Sequence, residues 1–506
     1  MLKPIDAFLN RVTMYRLLVY YLGGLLAIAI GLSAVGILPY DPFTILFNIG
    51  FLIAVCGITN ALFSRAFNVP PNVESSYISA LILALIMTPT RWGHDLMFLF
   101  WAAVLAMGSK YILAINHKHV FNPVAIAVAI VALTLNQGAS WWVGTAIMLP
   151  FVAIGGLLIV RKIRRAEMVA TFLIAAIASI SALSFLAGSQ PLLALQHAFL
   201  ESPLIFLAAV FVTEPLTTPP TRPLQMVYGA IVGALFAPQI HIGSFYTTPE
   251  LAIVIGNIFS FIVSPKARLM LYLKEKIQIA PDIYDFVFEP QRRLAFAPGQ
   301  YMEWTLGHPD PDNRGNRRYF TIASAPTERE VRMGVKFYPN SSSYKQSMLA
   351  MRPGSPILAA QLAGDFTLPR DPAQKVVMIA GGIGITPFRS MIKHLVDTHQ
   401  RRSVRLIYAA RRVNEFVYRD VLEDAARQIG LKTYYTLTDT KRLPPDWRGL
   451  AGHIDSRLIR RMIPDYAECL FYISGPNVMV NEVKGALLEA GVPRDRIHLD
   501  YFPGLA

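Results

Sequence analysis

Ten apolar stretches fill the first half of the chain, near 17–38, 44–63, 77–88, 95–109, 121–136, 141–160, 168–187, 195–213, 225–237 and 249–264. In hydrocarbon a backbone N–H or C=O finds no water, so runs of this kind must close their own hydrogen bonds as helices. Several reach the ~20 residues that cross a bilayer, while 77–88 is short. Composition points the same way. Of 506 residues 54% are hydrophobic and only 16% charged, with a mean hydropathy of +0.42, too little charge for a soluble chain of this length. The two cysteines, Cys56 and Cys469, fall in different halves. They exclude a disulfide framework, a zinc ribbon and a cysteine-ligated iron–sulfur cluster, and no ligand cluster predicts a metal.

The basic residues set the topology. Lys3, Arg11 and Arg16 precede the first stretch and Arg65 follows the second. Lys110 and Lys118 follow the fourth, Arg161 to Arg165 the sixth, Arg222 the eighth, and Lys266 and Arg268 the tenth. Of the other loops only the one carrying Arg91 is basic. The positive-inside rule then predicts ten spans in the plasma (inner) membrane, with both termini and all that follows span ten in the cytoplasm. The first stretch exceeds the roughly 7–15 residues of a signal-peptide core and reads as a span. The preceding MLKPIDAFLNRV reads as a membrane-surface lead-in. Much of the formal charge of +14 lies beside apolar spans. The expected partner is therefore the lipid bilayer and not nucleic acid.

Two segments interrupt the apolar pattern in corresponding places. "LALIMTPTRWG" ends a short run at Thr88-Pro89-Thr90, and "FVTEPLTTPPTRPLQ" ends another at Thr213-Glu214-Pro215. Each is third in a group of five spans, and five is odd, so a duplicated unit would enter the membrane in opposite orientations. Paired interrupted helices in an inverted repeat point to a site near the midplane, and Thr213, Glu214, Pro215 and Thr217 are its candidates. Both segments also read as ordinary Pro/Thr loops, and Glu214 as a solvated loop carboxylate.

From Ala267 the composition becomes that of an ordinary soluble protein. Short runs with turn residues between them predict an antiparallel β-barrel over 267–371. Strand–helix alternation predicts a parallel α/β layer over 372–506, with ligands at the carboxyl ends of its strands. At one such end stands "GGIGITP", with Gly381, Gly382, Gly384, Thr386 and Pro387. Absent side chains let a pyrophosphate reach the backbone, and the next helix offers amides; the same run also serves as a tight strand-to-helix turn. "YISGPNVM" repeats the arrangement at Ser474, Gly475 and Pro476. In "RRYFTIAS", Arg318 suits a flavin pyrophosphate as a bidentate donor, and Thr321 suits a hydrogen bond to the isoalloxazine. Arg411 and Arg412 follow the second strand of the layer, placed to reach a 2′-phosphate or simply solvated, so NADH and NADPH both remain open.

These motifs resemble the ferredoxin–NADP reductase superfamily over nearly all of 267–506. Its flavin motif R-x-Y-[ST] matches Arg318, Tyr319, Phe320 and Thr321, with Phe in the tyrosine place, and Ser324 closes the segment. The second flavin segment corresponds to "PNSSSYKQSM", where Ser342 and Ser343 would hold phosphate although the usual glycine is absent. The nicotinamide motif G-G-x-G-x-T-P is complete at Gly381 to Pro387. The family's C-G-P becomes Ser474-Gly475-Pro476, which puts a serine where a cysteine often flanks the hydride path. Thr321 and Ser474 are thus the residues nearest the chemistry. Phe502 or Tyr501 either covers the flavin face or packs in the last strand. The resemblance implies FAD and NAD(P)H as cofactors, and no plant-type ferredoxin domain is expected after "HLDYFPGLA".

The span region, over roughly 15–265, resembles the B subunit of the sodium-pumping NADH:quinone reductase and the D subunit of the Rnf complex. "HVFNPVAIAVAI" matches their F-N-P-A segment, adding Asn122 and Pro123 to the membrane candidates. "FVTEPLTTPPTRPLQMVYGAIVGAL" matches their T-D-P-V-[ST]-[AS]-P-x-T segment. Those subunits attach FMN to the threonine of S-G-A-T, which is missing here, so covalent FMN is not supported. A non-covalent FMN or riboflavin, or a quinone, among the helices fits instead. The reading is therefore a multi-pass helical domain (1–265) fused to an FAD-binding barrel (267–371) and an NAD(P)-binding layer (372–506). Such a flavoprotein passes electrons from NAD(P)H through FAD to a quinone, a second cofactor or an electron-accepting partner protein. Two other readings compete. A transmembrane haem reductase needs facing histidines within helices, and His94, His117, His119, His197 and His241 lack that spacing. A redox-regulated solute transporter would work without NAD(P)H.

Overall fold

Proline opens most of the helices in the first half, where its missing N–H costs nothing and its fixed φ suits the first turn. In the computed structural model they are α1 (Met14–Ala34), α2 (Pro42–Ala66), α3 (Val73–Ile86), α4 (His94–Ile112), α5 (Pro123–Leu135), α6 (Leu149–Ile163), α7 (Ala166–Leu186) and α8 (Pro191–Leu200). They continue as α9 (Leu204–Phe206, running into a wider π-turn over Leu207–Phe211), α10 (Arg222–Ala234) and α11 (Pro249–Val263). The structure describes residues 5, 8–9, 12–67, 73–91, 93–115, 118–135, 138–243, 245–264, 269–309, 312 and 315–502. The chain divides into two units, Met1–Ala267 and Arg268–Ala506.

In the first unit α1, α2, α7 and all but the first residue of α4 are long and apolar enough to cross a membrane, and the pair α8–α9, bent by 63°, would make a fifth span. The order of elements repeats. Each half runs through two helices, then a helix that stops short (in the second half the bent pair α8–α9), an irregular stretch, another helix, a two-stranded hairpin and a last helix. The irregular stretches cover 87–93 and 212–221, and the hairpins are β1 (Ala114–Ile115) with β2 (Lys118–His119) and β3 (His241–Ile242) with β4 (Phe245–Tyr246). Small residues bring α10 onto α7. An added Cβ would lie 2.4 Å from the Met168 carbonyl oxygen at Gly229 and 2.2 Å from that of Phe172 at Gly233, so only glycine at this four-residue spacing permits the contact.

The second unit has two sheets. Strands β5 (Leu269–Ala280), β6 (Ile283–Pro290), β7 (Tyr301–Thr305), β8 (Arg317–Thr321), β9 (Val331–Lys336) and β10 (Pro356–Ala363) form an antiparallel sheet in the order β8-β7-β10-β5-β6-β9. Its two edges approach where the Ala323 N–H donates to the Arg332 carbonyl at 2.8 Å. Helix α12 (Ser343–Ala350) precedes β10. The parallel sheet contains β11 (Val376–Gly381), β12 (Val404–Ala410), β13 (Lys432–Leu437), β14 (Leu450–Ala451), β15 (Leu470–Pro476) and β16 (Ile497–Phe502), in the order β14-β13-β12-β11-β15-β16. All six residues of β11 are buried, because helices cover both faces. Val376, Met378 and Ala380 join one core with α13 (Thr386–Asp397) and α14 (Arg419–Ile429). Val377 and Ile379 join the other with α15 (Ser456–Met462) and α16 (Asn477–Glu489).

The amino ends of the central strands are clamped by charge. Asp465 takes both terminal nitrogens of Arg405 at 2.6 Å and the Lys375 ammonium at 2.9 Å. These bonds, Arg405 first, hold the Asp465 carboxyl well below the usual carboxylate range. A carboxylate depressed in the folded state stabilises above its unfolded value, and that stability is lost as pH falls. We expect Asp465→Asn to lower stability near neutral pH by about 1–2 kcal/mol, less than a fully buried charge-assisted network because Asp465 and Lys375 are partly exposed to screening water. Thermal unfolding across pH should show the gap to the unmodified protein closing only well below about pH 4.

Candidate functional site

Strand β11 has β12 on one side and β15 on the other, so the chain leaves it in one direction and returns on its far side. That switch of direction opens a crevice at the carboxyl ends of the strands. Two segments about ninety residues apart in sequence meet there. Gly384 presses on the second segment: an added Cβ would lie 2.3 Å from the Ser474 carbonyl oxygen and 2.7 Å from the Gly475 Cα. Gly475 itself sits against the Gly381 backbone, with 3.2 Å from a built Cβ to Gly381 Cα. Gly382, at φ +53°, turns the chain and has open space where a side chain would be. Thr386 Oγ1 donates to the Ile383 carbonyl at 3.2 Å, and Pro387 stands in the first turn of α13. Ser474 is fully buried and donates to Asp500 Oδ2 at 3.3 Å, while Pro476 is exposed. Arg411 is exposed just past β12. Phe502 pairs through its backbone opposite Pro476, and its side chain lies outside the described residues. The side-chain-free face at Gly382, followed by the amides of a twelve-residue helix, fits a dinucleotide phosphate.

In the antiparallel sheet, alternation along β8 separates the flavin motif into two faces. Arg318 is buried with its guanidinium over the Tyr344 ring at 5.0 Å, and the Phe320 ring tilts against that same tyrosine at 6.2 Å. Arg318 Nη1 also donates to the carbonyls of Gly315 at 3.2 Å and Arg317 at 2.6 Å. Tyr319 projects to the other side, donates to Glu303 Oε2 at 2.9 Å and is 44% exposed. Thr321 is buried. Ser324 Oγ accepts from the Arg332 N–H at 3.1 Å. Ser342 caps α12, accepting from the Lys345 N–H at 3.4 Å. Ser343 Oγ lies 3.0 Å from His308 Nε2 and accepts from the Asp312 N–H at 2.9 Å. Tyr344 of the second segment thus packs under the guanidinium of the first, and that guanidinium with the first turn of α12 fits a second phosphate-bearing group. Tyr344 stands inside the quoted "PNSSSYKQSM" without having been singled out, and His308 and Glu303 had no motif to announce them.

In the first unit the membrane candidates gather around one hydrogen-bond network. Asn122 caps α5 through Oδ1, accepting from the N–H groups of Val124 at 3.1 Å and Ala125 at 3.0 Å. Its Nδ2 donates to Glu214 Oε2 at 2.6 Å, and Thr217 Oγ1 donates to the same oxygen at 2.9 Å. Pro123 begins α5, and Pro215 follows Glu214 in the irregular stretch. Thr213 is turned away, donating to the Ala209 carbonyl at 2.6 Å. Sequence reasoning missed two members. Asn257 accepts from the Asn122 N–H at 2.7 Å and donates to the Thr217 carbonyl at 3.4 Å and to the Tyr228 hydroxyl at 3.2 Å. Its signal was a lone amide inside "LAIVIGNIFSFIV".

The family described as "Oxidoreductase NAD-binding domain" matches residues 378–485. A flavohemoprotein of Bacillus cereus is 27% identical over 239 residues, covering 45% of this chain and 59% of its own length. The stachydrine N-demethylase reductase subunit of Rhizobium meliloti is 30% identical over 231 residues, covering 44% of this chain and 63% of its own. The flavohem-like FAD/NAD binding domain of nitric oxide dioxygenase from Vibrio cholerae, a solved structure, is 23% identical, with a TM-score of 0.41, covering 46% of this chain and 98% of that one. This chain therefore spans about three fifths of the length of the curated relatives it matches. Its C-terminal half is a ferredoxin-reductase-like FAD- and NAD-binding oxidoreductase module.

Proposed function

We propose that this chain is a membrane-embedded flavoprotein reductase that carries electrons from NAD(P)H through FAD to an acceptor held among its own helices. With the bent pair α8–α9 counted as one, helices α1–α11 are then ten spans, arranged as an inverted repeat with both termini and the reductase half in the cytoplasm. The divisions are 1–265 for the membrane domain, 267–371 for the FAD domain and 372–506 for the nucleotide domain. The resemblance to the B subunit of the sodium-pumping NADH:quinone reductase and the D subunit of Rnf supports the first of these. In this reading Gly381, Gly382, Gly384, Thr386, Pro387, Gly475 and Pro476 receive the nucleotide, and Arg411 borders its ribose. Arg318, Phe320, Thr321, Ser342 and Ser343 receive the flavin.

The observation that carries the acceptor site is the network of Asn122, Glu214, Thr217, Asn257 and Tyr228 at the second helix interruption. A carboxylate with two donors, set among apolar helices, is placed to bind a group that changes charge or proton content. A quinone headgroup or a non-covalent flavin has that chemistry. The chemistry that bound FAD supplies is acceptance of a hydride, two electrons with one proton, and their release singly. Reduction of a quinone then needs those two electrons and two protons, the second drawn from water.

Two measurements check this reading. Full-length protein in liposomes should retain FAD and oxidise NAD(P)H in the presence of a short-chain quinone. Glu214→Gln should lower the ratio of quinone to ferricyanide reduction roughly ten- to hundredfold, since one charge-assisted bond is worth about 1.5–3 kcal/mol. An unchanged ratio would remove the network from the acceptor site. Gly384→Ala should abolish nucleotide binding while FAD content stays constant, because its Cβ would meet backbone and not a flexible side-chain end. Gly382→Ala, whose methyl would stand on the open face proposed for the phosphate, should fold but bind nucleotide at least tenfold more weakly, about 1.4 kcal/mol. Equilibrium dialysis with NADH and NADPH reads both.

A further inference from the structure

We propose that Arg389 and Tyr418 are positioning residues that set the nicotinamide loop against the flavin strand, an inference that rests on the NAD(P)H–FAD reading of this unit. Arg389 lies in the first turn of α13, three residues beyond Thr386, yet it is buried on the apolar side of that helix. Its Nη1 and Nη2 grip Glu328 at 2.7 and 3.0 Å, and Nη1 also donates to the Ala323 carbonyl at 2.8 Å. The next residue, Ser390, donates to the Ser324 carbonyl at 2.6 Å. Ala323 and Ser324 continue directly from the flavin motif of β8. The helix that follows one cofactor loop is thus bonded to the backbone that follows the other.

A closed ring of charges fixes this junction from behind. Glu328 also accepts from the Ala325 N–H at 2.6 Å and lies 3.7 Å from Arg332 Nε. Arg332 Nη1 donates to Asp285 Oδ2 at 3.0 Å, and the Tyr418 hydroxyl donates to Asp285 Oδ1 at 3.0 Å. The Tyr418 ring completes the circuit beneath the Arg389 guanidinium, at 5.3 Å. Burial first, and the Asp285 charge second, push the Tyr418 hydroxyl well above its ordinary value, so it stays a donor at any physiological pH. Tyr418 also holds φ +58°, a conformation that disfavours a side chain of this size and persists where the surroundings over-determine it. Asp285 and Arg332 belong to β6 and β9, while Arg389 and Tyr418 belong to the α/β layer. Carboxylate–guanidinium pairs have directional geometry, so they fix register where apolar contact alone would tolerate sliding. Register matters here because a misplacement of about 1 Å in a reacting pair costs roughly a hundredfold in rate.

The test uses the full chain in detergent with two mild variants. Tyr418→Phe keeps the ring and loses one bond to Asp285. Ser390→Ala loses the parallel bond to the Ser324 carbonyl. Two readouts are taken, backbone hydrogen exchange over 322–326 without nucleotide and the rate of flavin bleaching by saturating NAD(P)H. The expected result is faster exchange in both variants and bleaching slowed about tenfold or more, with the nucleotide Kd within about twofold of the unmodified protein. Bleaching at the unmodified rate, with only the thermal midpoint lowered, would overturn the proposal and leave the ring as a structural brace. A separate result, an unmodified chain that keeps no FAD or is never bleached by NAD(P)H, would instead overturn the reading on which it rests.

Discussion

A helix that stops inside an apolar bundle leaves carbonyl groups that water cannot reach, and the first unit depends on how those groups are met. At the first interruption the protein answers with its own donors. Trp141 N–H and Ser140 Oγ meet the Ile86 carbonyl at 2.8 and 3.2 Å, and Trp142 Nε1 serves Ala84 at 3.1 Å and Met87 at 3.0 Å. Asn48 reaches across from α2 to the Thr90 carbonyl at 2.7 Å. At the second interruption Thr213 Oγ1 donates to the Ala209 carbonyl at 2.6 Å and Asn257 Nδ2 to the Thr217 carbonyl at 3.4 Å, and beside them stands an ionisable acceptor, Glu214, which takes bonds from Asn122 and Thr217. Two stretches in matching positions therefore do different work. The first is sealed by neutral donors, and the second keeps a group able to change charge. Trp141 joins them, since its ring lies 5.4 Å from that of Phe211 and its Nε1 donates to Glu250 at 3.3 Å.

The second unit solves the same problem at the opposite ends of one sheet. Below, Asp465 ties Arg405 and Lys375 together and holds the amino ends of neighbouring strands in register. Above, glycines replace side chains, so two backbones close on each other and leave a face on which phosphate can lie. The two ends are thus built from different chemistry. Ion pairs hold the first, and the absence of side chains shapes the second.

The two families of motif were legible because each is local. "GGIGITP" and "YISGPNVM" announce turns at strand ends, "RRYFTIAS" announces a strand with a cation, and "VTEP" announces a broken helix. What joins them was not legible. Asn122 and Asn257 stand 135 positions apart, and Asp285 and Tyr418 stand 133 apart, so no window of sequence contains both partners. Local alternation did carry one further lesson. It sets Arg318 and Phe320 on one face of β8 and Tyr319 on the other, so a contiguous motif serves two environments. The glycine pair at 229 and 233 carried no signal of its own, because its meaning depends on α7 lying opposite.

The junction in the second unit shows why ionic contacts are kept where apolar ones would stabilise as well. Phe366 already packs on Phe388 at 5.6 Å and on Tyr472 at 5.2 Å, which supplies burial between the barrel and the α/β layer without direction. A buried ion pair adds little net stability over an apolar replacement, because desolvation offsets attraction. For Arg389 that balance is explicit: burial works against its charge, and the Glu328 carboxylate outweighs it. What the pair supplies is a single geometry, since a guanidinium fork fits a carboxylate in one way while two phenyl rings pack in many. A reductase must bring two separately bound cofactors within bonding distance, and that task demands geometry more than stability. Charges that would be an expense in an ordinary core therefore stand where the helix after β11 meets the backbone after β8.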